Sequence, residues 1–213
     1  MKIQEVSIPC GTVQLQGTLT LPEKAQSIVL FAHGSGSGRF SPRNQFVAKV
    51  LNDGHIATLL MDLLTKEEEA IDDITRHLRF DIPLLAERLV GCTDWILKES
   101  NIRNFKIGYF GASTGAAAAL IAATKRKKEI FAVVSRGGRP DLAGNALTEV
   151  QAPTLLIVGG DDYGVIELNE QAYVLLESEK KLEIVAHATH LFEEPGTLEQ
   201  VAKLALQWFH DHQ

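Results

Sequence analysis

The sequence predicts an α/β fold: a mostly parallel central sheet with an N-terminal antiparallel hairpin and helices on both faces. Three observations carry this. Two alternating apolar and polar runs open the chain, continuous apolar runs then follow one another, and helical segments separate those runs to the end. At 213 residues, with 45% hydrophobic and 23% charged side chains, residues 1–213 are expected to form a single domain with one sizeable core.

Lys2 to Ile8 and Thr12 to Leu21 alternate around Pro9-Cys10-Gly11, which reads as the hairpin. Ser27 to Ala32 is an interior strand that runs directly into His33-Gly34-Ser35-Gly36-Ser37-Gly38. Ser41-Pro42 is the N-cap and first residue of a helix that has Phe46, Val47, Val50 and Leu51 on one face and stops at Gly54. His55 to Met61 is the next strand, and Asp62 to Ile74 is acidic and reads as irregular. Leu78, Ile82, Leu85, Leu89, Cys92 and Ile96 recur at helical spacing through Leu97, with Asp81 as cap and Pro83 in the first turn.

Ile107 to Phe110 is a strand leading into Gly111-Ala112-Ser113-Thr114-Gly115, and Ala116 to Ala119 begin a small-residue helix. Lys125 to Lys128 read as the solvated end of that helix, since cations favour a helix C-terminus. Ile130 to Ser135 and Pro153 to Val158 are strands, Val165 to Leu176 a helix, and Leu182 to Ala186 the last strand. Thr197 to Gln200 fits a capping box, with Val201, Leu204 and Trp208 on the inner face of the final helix. Ser135 to Gln151 is short and Gly-rich, so no large cap domain is expected, and any cover over the sheet should be loops.

A formal net charge of -6 provides no general attraction to nucleic acid or anionic membrane. The first residues lack a signal-peptide pattern, and no apolar run approaches the roughly 18 residues of a spanning helix. A cytoplasmic protein is the expectation. Cys10 and Cys92 read as core or incidental thiols, and no metal or organic cofactor is expected. The clustered acids Glu67-Glu68-Glu69 and Asp72-Asp73 lack nearby His or Cys and read as a solvated face.

Strand, G-x-S-x-G and helix are the context of a nucleophile elbow, in which the backbone turns too tightly for side chains on either flank. Ser113 is the candidate nucleophile. The His33–Gly38 loop fails the dinucleotide fingerprint, because Arg39 or Ser41 stands where the last glycine belongs. It reads instead as an oxyanion loop, with Ser35 or Gly36 supplying one N–H and Thr114 the other. A serine hydroxyl needs a base held by a carboxylate. Loops after two later strands offer Asp161 and Asp162, then His187 and His190. His190 is favoured because Leu191 and Phe192 can anchor its loop. Arg39, Arg43, Arg76, Arg79, Arg136 and Arg139 fall near strand ends. Arg43, Arg79 and Arg136 are candidate substrate-binding residues for an anion, set against structural pairing with Asp81, Asp141 or Glu193.

The run Leu155 to Val165, LLIVGGDDYGV, resembles the G-x-x-D-x-x-V stretch of dienelactone hydrolase-like α/β hydrolases, and Ala188-Thr189-His190-Leu191-Phe192 resembles that family's A-x-H-x-F. The likeness takes in nearly all the chain, including HGSGSGR, Ser41 to Asn44, GASTG and Ser135 to Pro140. It implies the α/β-hydrolase fold and assigns the acid to Asp162 and the base to His190. Dienelactone hydrolase itself uses cysteine where this chain has Ser113, so a serine carboxylesterase acting on a small ester or lactone is the expected class. Acyl transfer by the same triad and a non-catalytic binding role are the alternatives.

Overall fold

Eight strands form one sheet in the order β1-β2-β4-β3-β5-β6-β7-β8 in the computed structural model, which describes residues 1–213. Strands β1 (Lys2–Cys10) and β2 (Val13–Leu21) make the antiparallel hairpin, and β2 joins β4 (Ala57–Met61) antiparallel. From β4 onward the sheet is parallel, through β3 (Ser27–Ala32), β5 (Lys106–Ala112), β6 (Ile130–Arg136), β7 (Thr154–Gly159) and β8 (Lys180–Val185).

Each interior strand divides its side chains between two cores because successive residues face opposite ways. Ile28, Leu30, Ile107 and Tyr109 pack toward α3 (Ile82–Ile96) and α4 (Thr114–Lys125); Val29, Phe31, Phe110 and Val134 pack toward α1 (Pro42–Asp53) and α6 (Thr197–His212). α5 (Tyr163–Leu175) lies on the α4 side. Ala116, Ala117, Ala118 and Ala119 are all fully buried, so the helix leaving the elbow lies close on the sheet.

Four segments differ from the sequence reading. Residues 62–74 are not irregular: Lys66–Thr75 is a helix, α2, capped by a reciprocal box in which Thr65 Oγ1 accepts from Glu68 N–H and the Glu68 carboxylate accepts from Thr65 N–H. The final helix lacks the expected box. Gly196 is its N-cap at φ 85°, Thr197 lies already inside the helix, and its hydroxyl donates to the Glu194 carbonyl. The segment after β6 holds 3-10 turns over Pro140–Glu149, kinked at Gly144, packed on α4 and α5. The helix at Leu78 begins as a separate 3-10 turn, Leu78–Phe80, before Asp81 caps α3 by accepting from Leu84 N–H at 3.1 Å.

The acids are also not a uniform solvated face. Asp72 is buried and accepts from the Leu78 and Arg79 backbone and from Arg79 Nε. The basic run is paired as well as solvated, with Lys125 on Glu87, Arg126 on Asp94 and Lys127 on Glu149. Cys10 and Cys92 are free, buried thiols. No helix is long and apolar enough to cross a membrane.

Candidate active site

Ser113 sits between β5 and α4 at φ 51°, a left-handed conformation that a side chain adopts only where its surroundings impose it. The two glycines around it have no alternative. A Cβ on Gly111 would lie 2.4 Å from Ala116 Cα, and one on Gly115 would lie 2.2 Å from the Ala32 carbonyl oxygen. The turn is tied at both ends: Ser113 N–H donates to the Arg136 carbonyl at 3.3 Å, and Arg139 N–H donates to the Ser113 carbonyl at 3.0 Å.

The loop after β3 starts against this turn, since a Cβ on Gly34 would come within 3.0 Å of Ser113 Cβ. His33 anchors it from below. Its ring is buried, with Nδ1 2.9 Å from the Gly34 carbonyl and Nε2 accepting from Leu63 N–H at 3.0 Å. That pair of contacts fixes the neutral Nδ1–H tautomer, and burial pushes its pKa down. Gly36 turns at φ 69°, and neither it nor Ser35 donates its N–H to another backbone group. Thr114, the first residue of α4, carries an N–H with no intrahelical acceptor.

The loops after β7 and β8 meet because Gly159 lacks a side chain: a Cβ there would lie 2.4 Å from the Ala188 carbonyl oxygen. Asp161 N–H donates to that carbonyl at 2.9 Å and its side chain is exposed. Asp162 turns inward, and its Oδ2 lies 2.7 Å from His190 Nδ1. His187 is exposed at φ 60° and does not share this contact. The loop bearing His190 is braced by Glu194, whose carboxylate accepts from Thr189 N–H at 3.1 Å and from Thr189 Oγ1 at 2.6 Å. Gly137, at φ 49°, closes the space between β6 and this loop; a Cβ there would lie 3.0 Å from the His190 carbonyl oxygen. Sequence reasoning gave no role to Glu194 or to the His33 ring, which act through side-chain hydrogen bonds, and it quoted Gly137 and Gly159 within motifs without the backbone approach that requires them.

The arginines divide. Arg79 is fixed by buried Asp72, with Nη2 3.2 Å from Asp73, and Arg39 pairs with Asp62. Arg139 grips Asp141 at 2.9 and 2.8 Å. Arg43 reaches only the exposed Glu193, at 3.4 Å. Arg136 is buried, has no carboxylate partner, and makes one long contact of 3.5 Å to Asn44 Oδ1. A cavity of about 550 Å³ opens on the α2 side of the His33–Gly38 loop, lined by Ser35, Gly36, Asp62, Lys66, Glu69 and Arg79 among others. Neither Ser113 nor His190 lines it. No group of three or more His, Cys, Asp and Glu is arranged to hold a metal ion.

No family model matches the chain. A solved dienelactone hydrolase from Anabaena variabilis is 58% identical and superposes with a TM-score of 0.98 over 99% of this chain and 98% of that one. The chain belongs to the dienelactone hydrolase-like family of α/β hydrolases. An α/β serine hydrolase homologue from Coxiella burnetii has the same fold, with a TM-score of 0.79 over 97% of both chains at 18% identity. Two Mycobacterium tuberculosis proteins named "Putative phosphoribosyl transferase" are 55% identical over 212 residues. This dienelactone hydrolase-like chain spans 47% of their length.

Proposed function

We propose that the chain is a serine hydrolase that cleaves small carboxylic esters or lactones through an acyl-enzyme on Ser113. The reading is carried by the strained Ser113 turn and a His190–Asp162 hydrogen bond of 2.7 Å, two features joined through β6, where the Arg136 carbonyl accepts from Ser113 N–H and Gly137 abuts the His190 carbonyl. With Nδ1–H engaged by Asp162, His190 Nε2 is the nitrogen left to accept the Ser113 proton. Ser113 Oγ then attacks the carbonyl carbon, and the Thr114 N–H with that of Ser35 or Gly36 receives the oxyanion. His190 returns the proton to the leaving alcohol, activates water for the second attack, and Ser113 is regenerated as the acid departs. Removing one such amide donor costs about 3 kcal/mol of barrier in acyl transfer generally, so the shape of the His33–Gly38 backbone is part of the chemistry.

The name attached to the tuberculosis relatives describes proteins about twice as long as this chain, and phosphoribosyl transfer is not carried over to it. The 58% identical dienelactone hydrolase supports hydrolysis of an ester or lactone. Turnover of p-nitrophenyl acetate and butyrate by the wild-type protein and by Ser113→Ala tests the reading. Hydrolysis that disappears with Ser113 supports it; hydrolysis that Ser113→Ala retains in full would reject it.

A further inference from the structure

We propose that the cavity beside the His33–Gly38 loop is an acyl pocket for a polyhydroxylated acid, so that the substrate is a sugar-acid lactone or ester and not a bare alkyl one. This rests on the hydrolase reading above and names the substrate class for that site. The cavity, of about 550 Å³, has Gly34, Ser35 and Gly36 along one wall. Gly34 is the residue whose Cβ would stand 3.0 Å from Ser113 Cβ, and Ser35 and Gly36 carry the amides assigned to the oxyanion. One end of the cavity therefore abuts the reacting carbonyl, while Ser113 and His190 themselves stand outside it.

That placement selects the part of the substrate that enters. In the proposed reaction the carbonyl oxygen turns to the loop and Thr114 amides, and the leaving oxygen must reach His190 Nε2 to be protonated. The acyl carbons are the remaining group, and they are the ones left to lie along the oxyanion loop.

The walls then say what those carbons carry. Small-molecule pockets are mostly apolar with a few placed polar groups, and this one is the reverse: only Phe40, Leu64 and Leu85 among its lining residues are apolar. Most of its charge is met within the protein, Arg39 by Asp62 and Arg79 by Asp72 and Asp73. Three cations, Arg39, Lys66 and Arg79, face four carboxylates, those three and Glu69, so no cationic surplus awaits an anion. What stays unpaired is a mixed set: the Lys66 ammonium, the Glu69 carboxylate and the Ser35 and Ser37 hydroxyls have no hydrogen-bond or ion-pair partner in the protein. Partial burial and the charges of Asp62 and Asp73 push the Glu69 carboxyl up, a cost that a donor to Glu69 relieves. Donors and acceptors side by side match groups that do both, which is the property of a hydroxyl.

Phe40 adds a platform. Its ring is 64% exposed at the cavity rim and is held by the Arg39 guanidinium, 4.4 Å from the ring centroid, leaving a flat apolar surface for the C–H edges of a hydroxylated ring. Through Arg39, Asp62, Lys66 and Glu69 the cavity continues into a second hollow of about 650 Å³, which presents Thr12, Gln14, Gln16 and Thr65.

Matched lactones test the pocket. D-Ribono-1,4-lactone is compared with γ-butyrolactone and D-glucono-1,5-lactone with δ-valerolactone, each kcat/KM divided by that lactone's hydroxide-catalysed rate constant so that intrinsic reactivity cancels. Wild-type protein is expected to favour the hydroxylated member of at least one pair by tenfold or more. Glu69→Leu should bring that ratio near one, and Glu69→Gln should recover part of it because the amide oxygen still accepts. Equal corrected rates in the wild type, or an unchanged ratio in Glu69→Leu, overturn the proposal. Separately, 1,4-anhydro-D-ribitol, which keeps the ring and its hydroxyls without a carbonyl, should bind the wild-type protein saturably in titration calorimetry, whereas tetrahydrofuran should not. No binding overturns the pocket even if the variants fail to fold. Binding by a protein that hydrolyses none of these lactones and no p-nitrophenyl ester supports the pocket and removes the hydrolase reading instead.

Discussion

The two sides of the site are built from different materials. The β5–β8 side is backbone against backbone: Gly111, Gly115, Gly137 and Gly159 each lack a side chain where a Cβ would meet another main-chain atom at 3.0 Å or less. The β4–α3 side is charge against charge, with Arg39 on Asp62, Arg79 on buried Asp72, and Arg88 on Glu68 at 2.6 Å. Steric exclusion fixes positions to fractions of an ångström and is indifferent to pH. Ion pairs fix them only while the partners are charged.

The largest effect belongs to the backbone-built side. Gly115→Ala places a methyl 2.2 Å from the Ala32 carbonyl oxygen and 2.5 Å from that of His33, and the end of β3 cannot retreat without opening the sheet. It is expected to prevent folding or cost more than about 3 kcal/mol, read as Tm by calorimetry. Gly164→Ala is the control, since a Cβ there meets nothing within 4 Å. Next is Asp162→Asn. On the proposed mechanism it leaves the fold intact but lets His190 adopt the wrong tautomer, lowering kcat on p-nitrophenyl esters by about 10³- to 10⁴-fold.

The charge-built side should respond to acid. Burial opposes ionisation of Asp72, yet hydrogen bonds from the Arg79 side chain and from the Arg79 and Leu78 N–H groups outweigh it and hold the carboxyl below its ordinary range. A lowered carboxylate pKa means stability that is full above the ordinary value and is lost as pH falls through the folded one. Asp72→Asn should therefore lower Tm at neutral pH and flatten its decline as pH falls below the ordinary carboxylate range. A decline as steep as that of the wild type would deny Asp72 this role. The smallest effect is at the start of α2, where Thr65→Ala removes the cap and costs about 1 kcal/mol, visible as faster amide exchange over Lys66–Thr75.

The same division explains what could be read in advance. The G-x-S-x-G turn is legible because a left-handed Ser113 between two obligate glycines leaves few sequences that fit. Strand alternation and the continuous apolar runs expose the sheet because each strand's burial follows its own side-chain parity. The charged side was misread for a reason of the same kind. Asp72 beside Asp73 looks like a solvated pair, and only the turn after α2 that brings Leu78 and Arg79 back over it buries one and leaves the other out. The α2 cap was legible in principle as Thr65-x-x-Glu68, whereas the similar Thr197-x-x-Gln200 is defeated by the turn at Gly196. Arg136 lay among six equivalent-looking arginines, and isolation from every carboxylate is a property of the folded chain alone.

The central claim is that Ser113 is the nucleophile. Reaction of the wild-type protein with a fluorophosphonate, followed by intact mass and peptide mapping, tests it without assuming a substrate. The account predicts one adduct, on the peptide containing Gly111 to Gly115, with labelling much slower in His190→Ala. No adduct, or an adduct on any other residue, would contradict it.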